Sequence, residues 1–105
     1  MKEFSEFEKS IGIIFVDKQI LQRAFTHRSY INENPRSGLE HNERLEFLGD
    51  AVLELASTPF LFKKYPKRNE GELTSFRAAL VNTNTLSEVA SKLGFNDFLL
   101  LSKGE

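Results

Sequence analysis

Residues 42–53 read NERLEFLGDAVL, and this stretch decides how the rest of the sequence is interpreted. On a helical wheel of residues 43–54, four carboxylates fall within about 80° of arc, while apolar side chains occupy the opposite side. We call the four carboxylates the acidic stripe, and they are Glu43, Glu46, Asp50 and Glu54. The pattern predicts an amphipathic helix with one acidic and one apolar face.

The acidic stripe admits two interpretations. Like charges four residues apart on a helix repel each other by about 0.2–0.5 kcal/mol, and no Lys or Arg lies within the stripe. A solvated helix face is the simpler interpretation, and a divalent-cation site is the other, because a bound cation relieves the repulsion. Carboxylate oxygens suit Mg²⁺, Mn²⁺ or Ca²⁺. A di-iron centre is disfavoured, since neither His27 nor His41 has a Glu three residues before it.

The remaining sequence is helical in its periodicity, and no segment alternates with the period of a strand. The pattern predicts N-terminal caps at Asp17, at Asn69 and at residue 82 or 83, and it predicts that Gly12 and Gly94 end helices. These signals favour an all-α fold.

The sequence also predicts the bounds of two helices and of one loop. The helix that begins after Asp17 is predicted to run into residues 26–30, and residues 32–38 read as a loop. The acidic helix is predicted to extend from about residue 40 to about residue 65. Pro59 lies inside it, so we expect a kink or a break near residues 56–57.

Composition excludes several classes of protein. The chain has 105 residues, no Cys and a formal net charge of −1. Thiolate chemistry and disulfides are therefore excluded, and no apolar run is long enough to span a membrane. The first ten residues lack the apolar core of a secretory signal, and together these features predict a cytoplasmic protein. The charge lacks the basic excess of a protein that grips nucleic acid by itself.

Residues 42–53 resemble the signature motif of the ribonuclease III family. The similarity extends to residues 26–30 (THRSY), residues 70–73 (EGEL), residues 77–81 (RAALV) and residues 84–86 (NTL). Since these segments lie on both sides of the signature, the resemblance covers essentially the whole chain.

The resemblance implies an all-α endonuclease domain that dimerises and cuts double-stranded RNA with Mg²⁺, for which Mn²⁺ can substitute. Residues 1–105 would form its N-terminal two-thirds, so the domain would be incomplete at the C-terminus. Glu46 and Asp50 are implied as metal ligands. Glu43 and Glu70 are implied as further catalytic acids that support the metal site between two subunits.

The position of Phe47 beside the acidic stripe has two interpretations. The family implies that this ring fills a cavity of the partner subunit in a homodimer. The alternative is an ordinary core residue of its own chain. A second surface feature is a small basic patch, interpreted either as a contact for RNA phosphates or as a solvated helix end. The basic patch consists of Lys63, Lys64, Lys67 and Arg68.

Two departures from the family limit the prediction. The family completes its metal site with an Asp and a Glu on a later helix, and that motif is absent from these 105 residues. The family's double-stranded-RNA-binding domain is absent from them as well. We therefore expect the chain as given to bind metal weakly and to cut RNA poorly or not at all. The alternatives are a dimerising RNA-associated scaffold that does not cleave and a plain helical interaction module.

Overall fold

The computed structural model describes residues 3–105, so the first two residues of the predicted domain lie outside the description. The described chain contains no strand and forms α-helices joined by short connections. The helices are α1 (Phe4–Ile11), α2 (Lys18–Ala24), α3 (Arg28–Glu33), α4 (Glu43–Lys64), α5 (Glu70–Leu80) and α6 (Thr83–Lys92), followed by a short 3₁₀ helix (Phe95–Asp97). The predicted all-α class is confirmed.

The predicted helix ends are confirmed by their capping bonds. The side chains of Asp17, Asn69 and Asn82 accept hydrogen bonds from the first turns of α2, α5 and α6. Gly12 and Gly94 follow α1 and α6 with φ values of 72° and 76°. This left-handed backbone favours glycine, and it ends both helices.

The prediction that α2 continues into residues 26–30 is wrong. The backbone of Thr26 forms a parallel bridge with Leu100, and the amide of His27 donates to the Leu100 carbonyl at 2.9 Å. His27 is consequently extended, with φ −80° and ψ 151°, and becomes the N-cap of the separate helix α3. This short helix also takes up the first two residues of the predicted 32–38 loop.

Of the kink or break predicted near residues 56–57, the break is wrong, because α4 is one continuous helix through Pro59. Proline removes one backbone donor from the helix. The hydroxyl of Ser57 donates to the Leu53 carbonyl at 2.8 Å, and the hydroxyl of Thr58 donates to the Glu54 carbonyl at 2.7 Å. Neither of these carbonyls is the one that the proline leaves without a donor, which is that of Leu55, so α4 continues past Pro59 with one backbone donor missing.

An aromatic core joins the N-terminal helices to the C-terminal tail. Phe7, Leu21, Phe25 and Phe98 are buried together. The ring centroid of Phe7 lies 4.9 Å from that of Phe25 and 5.3 Å from that of Phe98, both in edge-on geometry. This cluster anchors residues 95–101 against α1 and α2.

Helix α4 lies outside this core and packs mainly against α5. Its apolar face is open, since Leu48, Val52 and Leu55 are 58%, 56% and 73% exposed. Within the described chain, a Cβ added at Gly49 would meet nothing within 4 Å, so no other helix approaches α4 closely there. The molecule measures 54 × 27 × 22 Å. Its long helix therefore presents both the acidic stripe and an apolar face.

Candidate functional site

The acidic stripe lies along the N-terminal half of α4, and all of its carboxylates are exposed. Glu43 and Glu46 belong to the first turn of the helix, where the positive end of the helix dipole favours negative charge. Asp50 and Glu54 follow on successive turns. The predicted arrangement on one helix is therefore confirmed, and what distinguishes the carboxylates is the set of side chains around them.

Glu43 is bound by an arginine from α3. The Nε of Arg28 donates to Glu43 Oε2 at 3.0 Å, and a second guanidinium nitrogen bonds the same oxygen. His41 Nδ1 lies 3.5 Å from this oxygen. The hydrogen bond from Arg28 is the main cause that holds the pKa of the Glu43 carboxyl below its ordinary value. Glu43 is thus an ionised group with a fixed partner.

Glu54 is bound by an arginine from α5. The Nη2 of Arg77 lies 3.5 Å from Glu54 Oε1, and its Nη1 donates to the Thr58 hydroxyl at 3.0 Å. Asp50, Glu54, Thr74 and Arg77 line one open groove between α4 and α5. The crossing of these two helices therefore sets the position of the C-terminal end of the stripe.

Glu46 and Asp50 have no ion-pair partner within residues 3–105. They lie one turn apart on α4, and their oxygens are the ligand type that Mg²⁺ prefers. Nowhere in the described chain do three or more His, Asp or Glu side chains form a group that could hold a metal ion. The donor chemistry thus fits a hard cation such as Mg²⁺, which is usually held by one or two carboxylates and several waters.

Glu70 is the first residue of α5, and no group of three possible metal ligands that includes it forms in the described chain. It lines a neighbouring groove with Phe62 and Leu73, and Arg77 borders both grooves. Its position in the first turn of α5 also suits the helix dipole. The structure therefore does not bring Glu70 together with Glu46 and Asp50 in one metal-sized cluster.

Phe47 projects from α4 beside the stripe and is 83% exposed. The alternative that it is a core residue of its own chain is therefore wrong. It lines an open groove with Arg28, Arg44 and Leu48. An exposed aromatic ring next to apolar and cationic side chains is typical of a surface that contacts a partner.

The basic patch lies at the C-terminal end of α4 and in the turn that follows. Two of its cations have intramolecular partners: Lys64 lies 5.4 Å from the Phe60 ring centroid, and Arg68 pairs with Glu72 at 2.9 Å. Lys63 and Lys67 have no such partner among the described residues. These two lysines are the members of the patch that are free to contact a phosphate.

Sequence reasoning missed the roles of Arg28 and Arg77. Both lie in segments that carry the family resemblance, yet each contacts α4 from a different helix. Arg28 precedes Glu43 by 15 residues, and Arg77 follows Thr58 by 19. Helical periodicity reports neighbours three or four residues apart, so it gave no signal for either contact.

Comparison with known proteins gives a consistent result. A family model described as Ribonuclease-III-like matches residues 17–105. The chain is 53% identical over 103 residues to Ribonuclease 3 of a Geobacillus species, covering 98% of this chain and 42% of that protein. It is 50% identical over 105 residues to Ribonuclease 3 of Bacillus velezensis, covering 100% of this chain and 42% of that protein. The chain thus spans less than half the length of these relatives.

Solved structures agree in fold. Two structures of the nuclease domain of ribonuclease III from Campylobacter jejuni superpose with TM-scores of 0.87 and 0.84, at 42% and 43% identity. The first alignment covers 98% of this chain and 68% of the other, and the second covers 100% and 67%. One of these structures concerns flexibility in a region involved in dimer formation of the Campylobacter domain.

Proposed function

Because this chain belongs to the ribonuclease-III-like family, we propose that it is part of a metal-dependent endoribonuclease that hydrolyses double-stranded RNA in RNA processing. The observation that carries the proposal is the state of the acidic stripe. Its outer carboxylates are engaged by arginines, whereas Glu46 and Asp50 are exposed and have no ion-pair partner among the described residues. Two adjacent carboxylates without a counter-charge are well suited to bind a divalent cation.

The proposed cofactor is Mg²⁺, with Mn²⁺ as a substitute, held by Glu46 and Asp50. Such an ion polarises a phosphate and lowers the pKa of bound water. Glu43 and Glu70 are proposed as supporting acids. Glu43 is an ionised carboxylate that Arg28 holds in place at the first turn of α4. Glu70 contributes its charge from the first turn of α5.

The 105-residue chain is proposed to be a weak or inactive nuclease when tested alone. Two carboxylates satisfy only part of the coordination that Mg²⁺ requires, and the remainder must come from water or other groups. No third acidic side chain joins them within residues 3–105. We therefore expect the chain alone to bind Mg²⁺ weakly, with water supplying most of the ligands.

Two partners are part of the proposal. Double-stranded RNA would contact Lys63 and Lys67 through its phosphates, with Lys64 and Arg68 nearby. A second copy of the chain would cover Phe47, whose ring is 83% exposed. A cytoplasmic location is also proposed, since the sequence has no cysteine that would pair in an oxidising compartment. No described helix has the length and hydropathy needed to cross a membrane.

A non-catalytic RNA-associated scaffold is the second candidate. It is favoured by one observation, the absence of a three-ligand acidic cluster among the described residues. A scaffold has no need of a metal, so its stability and its carboxylate signals should not respond specifically to Mg²⁺. The two candidates therefore differ in a property that can be measured on the chain itself.

The decisive experiment is a Mg²⁺ titration of the purified chain followed by carboxyl-carbon NMR. We expect the signals of Glu46 and Asp50 to shift in a saturable manner, and Asp50→Asn to abolish the shift at Glu46. Glu88→Gln is the matched control, because it removes one exposed carboxylate on α6. Equal responses of these two variants, or no saturable shift in the parent chain, would support the scaffold.

A further inference from the structure

The two ends of the acidic stripe are each held by an arginine from a neighbouring helix. Arg28 of α3 donates through two nitrogens to a single oxygen of Glu43. Arg77 of α5 lies against Glu54 and is itself fixed by the Thr58 hydroxyl at 3.0 Å. The stripe is thus bracketed by cations that come from two different directions.

This bracketing changes the distribution of charge along α4. Neighbouring carboxylates on the stripe repel each other, and the guanidinium groups offset that repulsion at the two ends. No cation of the described chain pairs with Glu46 or Asp50. The uncompensated charge of the stripe is therefore concentrated on its two central members.

Stability alone does not account for these contacts. The side chains of Arg28 and Glu43 are 57% and 48% exposed, and ion pairs so open to solvent contribute little to the free energy of folding. Two Arg28 donors that converge on one oxygen of Glu43 do, however, restrict the direction of the carboxylate, because guanidinium N–H groups lie in one fixed plane. The geometry therefore has more effect on where Glu43 points than on how firmly the chain folds.

We propose that Arg28 and Arg77 are positioning residues, which hold Glu43 and Glu54 away from the cation so that it binds Glu46 and Asp50. This inference rests on the proposed function, because it concerns the same metal site. Arg28 and Arg77 withhold the two outer carboxylates from the ion. Each carboxylate becomes available to the ion when its arginine is removed.

The test is the same Mg²⁺ titration, applied to Arg28→Gln and Arg77→Gln with Mg²⁺ alone as the probe. In the parent chain, the carboxyl signals of Glu46 and Asp50 should shift while those of Glu43 and Glu54 stay nearly constant. In Arg28→Gln, Glu43 should join the responding set, and the apparent affinity for Mg²⁺ should rise about threefold, since a nearby positive charge is gone. Arg77→Gln should release Glu54 in the same way.

Two further variants separate positioning from charge. Arg28→Lys keeps the charge without the planar fork, so the affinity should stay near that of the parent while Glu43 becomes partly responsive. Arg36→Gln removes an exposed arginine that has no ion-pair partner within residues 3–105, and it should change neither quantity. If Arg77→Gln fails to fold, as judged by circular dichroism, Arg77→Lys provides the same comparison for Glu54.

The inference is overturned if Glu43 and Glu54 respond in the parent chain as strongly as Glu46. It is also overturned if Arg28→Gln leaves the Glu43 response unchanged, or if Arg36→Gln raises the affinity equally. Absence of any response at Glu46 and Asp50 in the parent chain is a different result: it rejects the metal site itself, and the positioning role is rejected with it.

Discussion

The backbone amide of Asn42 donates a hydrogen bond to the carbonyl oxygen of Thr26 at 2.9 Å, and its side-chain Nδ2 donates to the carbonyl of Ala24 at the same distance. Asn42 immediately precedes α4, whereas Thr26 is fully buried beside the aromatic core. These two bonds therefore connect the start of the acidic helix to the part of the chain that is most tightly packed.

Replacing Asn42 with alanine should loosen this connection. The variant loses the side-chain bond to Ala24 and keeps the backbone bond, so we expect a loss of about 1 kcal/mol in the free energy of unfolding. Urea denaturation followed by circular dichroism measures it. Asn32→Ala is the matched control, because this exposed amide makes no hydrogen bond within the described chain. An equal loss in both variants would contradict the role of Asn42.

The aromatic core should dominate the stability of the chain. Phe7 is 3% exposed and lies in ring contact with Phe25, Phe95 and Phe98. Phe7→Ala should cost about 3–5 kcal/mol, or abolish the cooperative transition altogether. Phe47→Ala removes the same ring from a site that is 83% exposed, and in the monomer it should cost less than about 0.5 kcal/mol. Similar midpoints of thermal unfolding for the two variants would show that the core is wrongly placed.

The helical periods and the capping residues could be predicted from the sequence because they depend on neighbours in the chain. Asp17, Asn69 and Gly94 act locally, and each was identified correctly. The end of α2 could not be predicted, because it depends on a bridge between Thr26 and Leu100, which are remote in sequence. The break expected beside Pro59 does not occur, because a proline removes only one backbone donor and the rest of α4 continues past it.

In the candidate site, too, the features set by local sequence could be predicted and those set by tertiary contacts could not. Placement of the acidic stripe on one face of α4 follows from helical geometry alone. The difference between its outer and central members depends on Arg28 and Arg77, which reach α4 through tertiary packing. The exposure of Phe47 likewise follows from which helices cover α4, and no local pattern contains that information.

An ion pair between the buried carboxylate of Glu8 and the exposed Lys18 should make stability depend on pH. Glu8 accepts hydrogen bonds from Lys18 Nζ at 2.5 Å and from the Phe15 amide at 2.6 Å. The bond from Lys18 is the main cause, and that from Phe15 the second, that holds the pKa of the Glu8 carboxyl below its ordinary value of 4.5. A lowered folded-state pKa gives a contribution that is present above pH 4.5 and is lost as the pH falls through the folded value.

The measurement compares the free energy of unfolding of the parent chain and Glu8→Gln from neutral pH downward. The parent should be more stable at neutral pH, and the difference should shrink as the pH drops below 4.5. Glu6→Gln is the control, because this exposed carboxylate on the same helix has no ion-pair partner among the described residues. A difference for Glu8→Gln that stays constant with pH would contradict the assignment.

Self-association should depend on Phe47 if the proposed homodimer forms through this ring. Phe47→Ala should weaken dimerisation at least tenfold. An aromatic ring at the centre of an interface often contributes about 2 kcal/mol or more to the free energy of binding. Sedimentation velocity over a range of concentrations measures the effect. Phe62→Ala is the matched control: its ring is 70% exposed on the same helix but lies near the other end. Equal weakening by both changes would argue for a contact along the whole apolar face.

Binding of duplex RNA should depend on the two basic-patch lysines that have no intramolecular partner. Each lysine that contacts a phosphate releases counterions on binding, so its removal should lower the slope of log affinity against log salt by about one. We expect Lys63→Ala and Lys67→Ala each to weaken binding of duplex RNA without changing any preference for sequence. Fluorescence anisotropy of a labelled duplex at several salt concentrations gives both quantities.

The control for these lysines is Lys92→Ala, which removes a similar exposed charge from the last turn of α6. Lys64→Ala should have an intermediate effect, because its ammonium group already lies over the rings of Phe60 and Tyr65, at 5.4 and 5.7 Å from their centroids. If Lys92→Ala changes the salt slope as much as Lys63→Ala, binding reflects total charge and the basic patch has no specific role. A slope that falls only for the lysines around Pro66 locates the RNA at the end of α4 opposite the first turn of the acidic stripe.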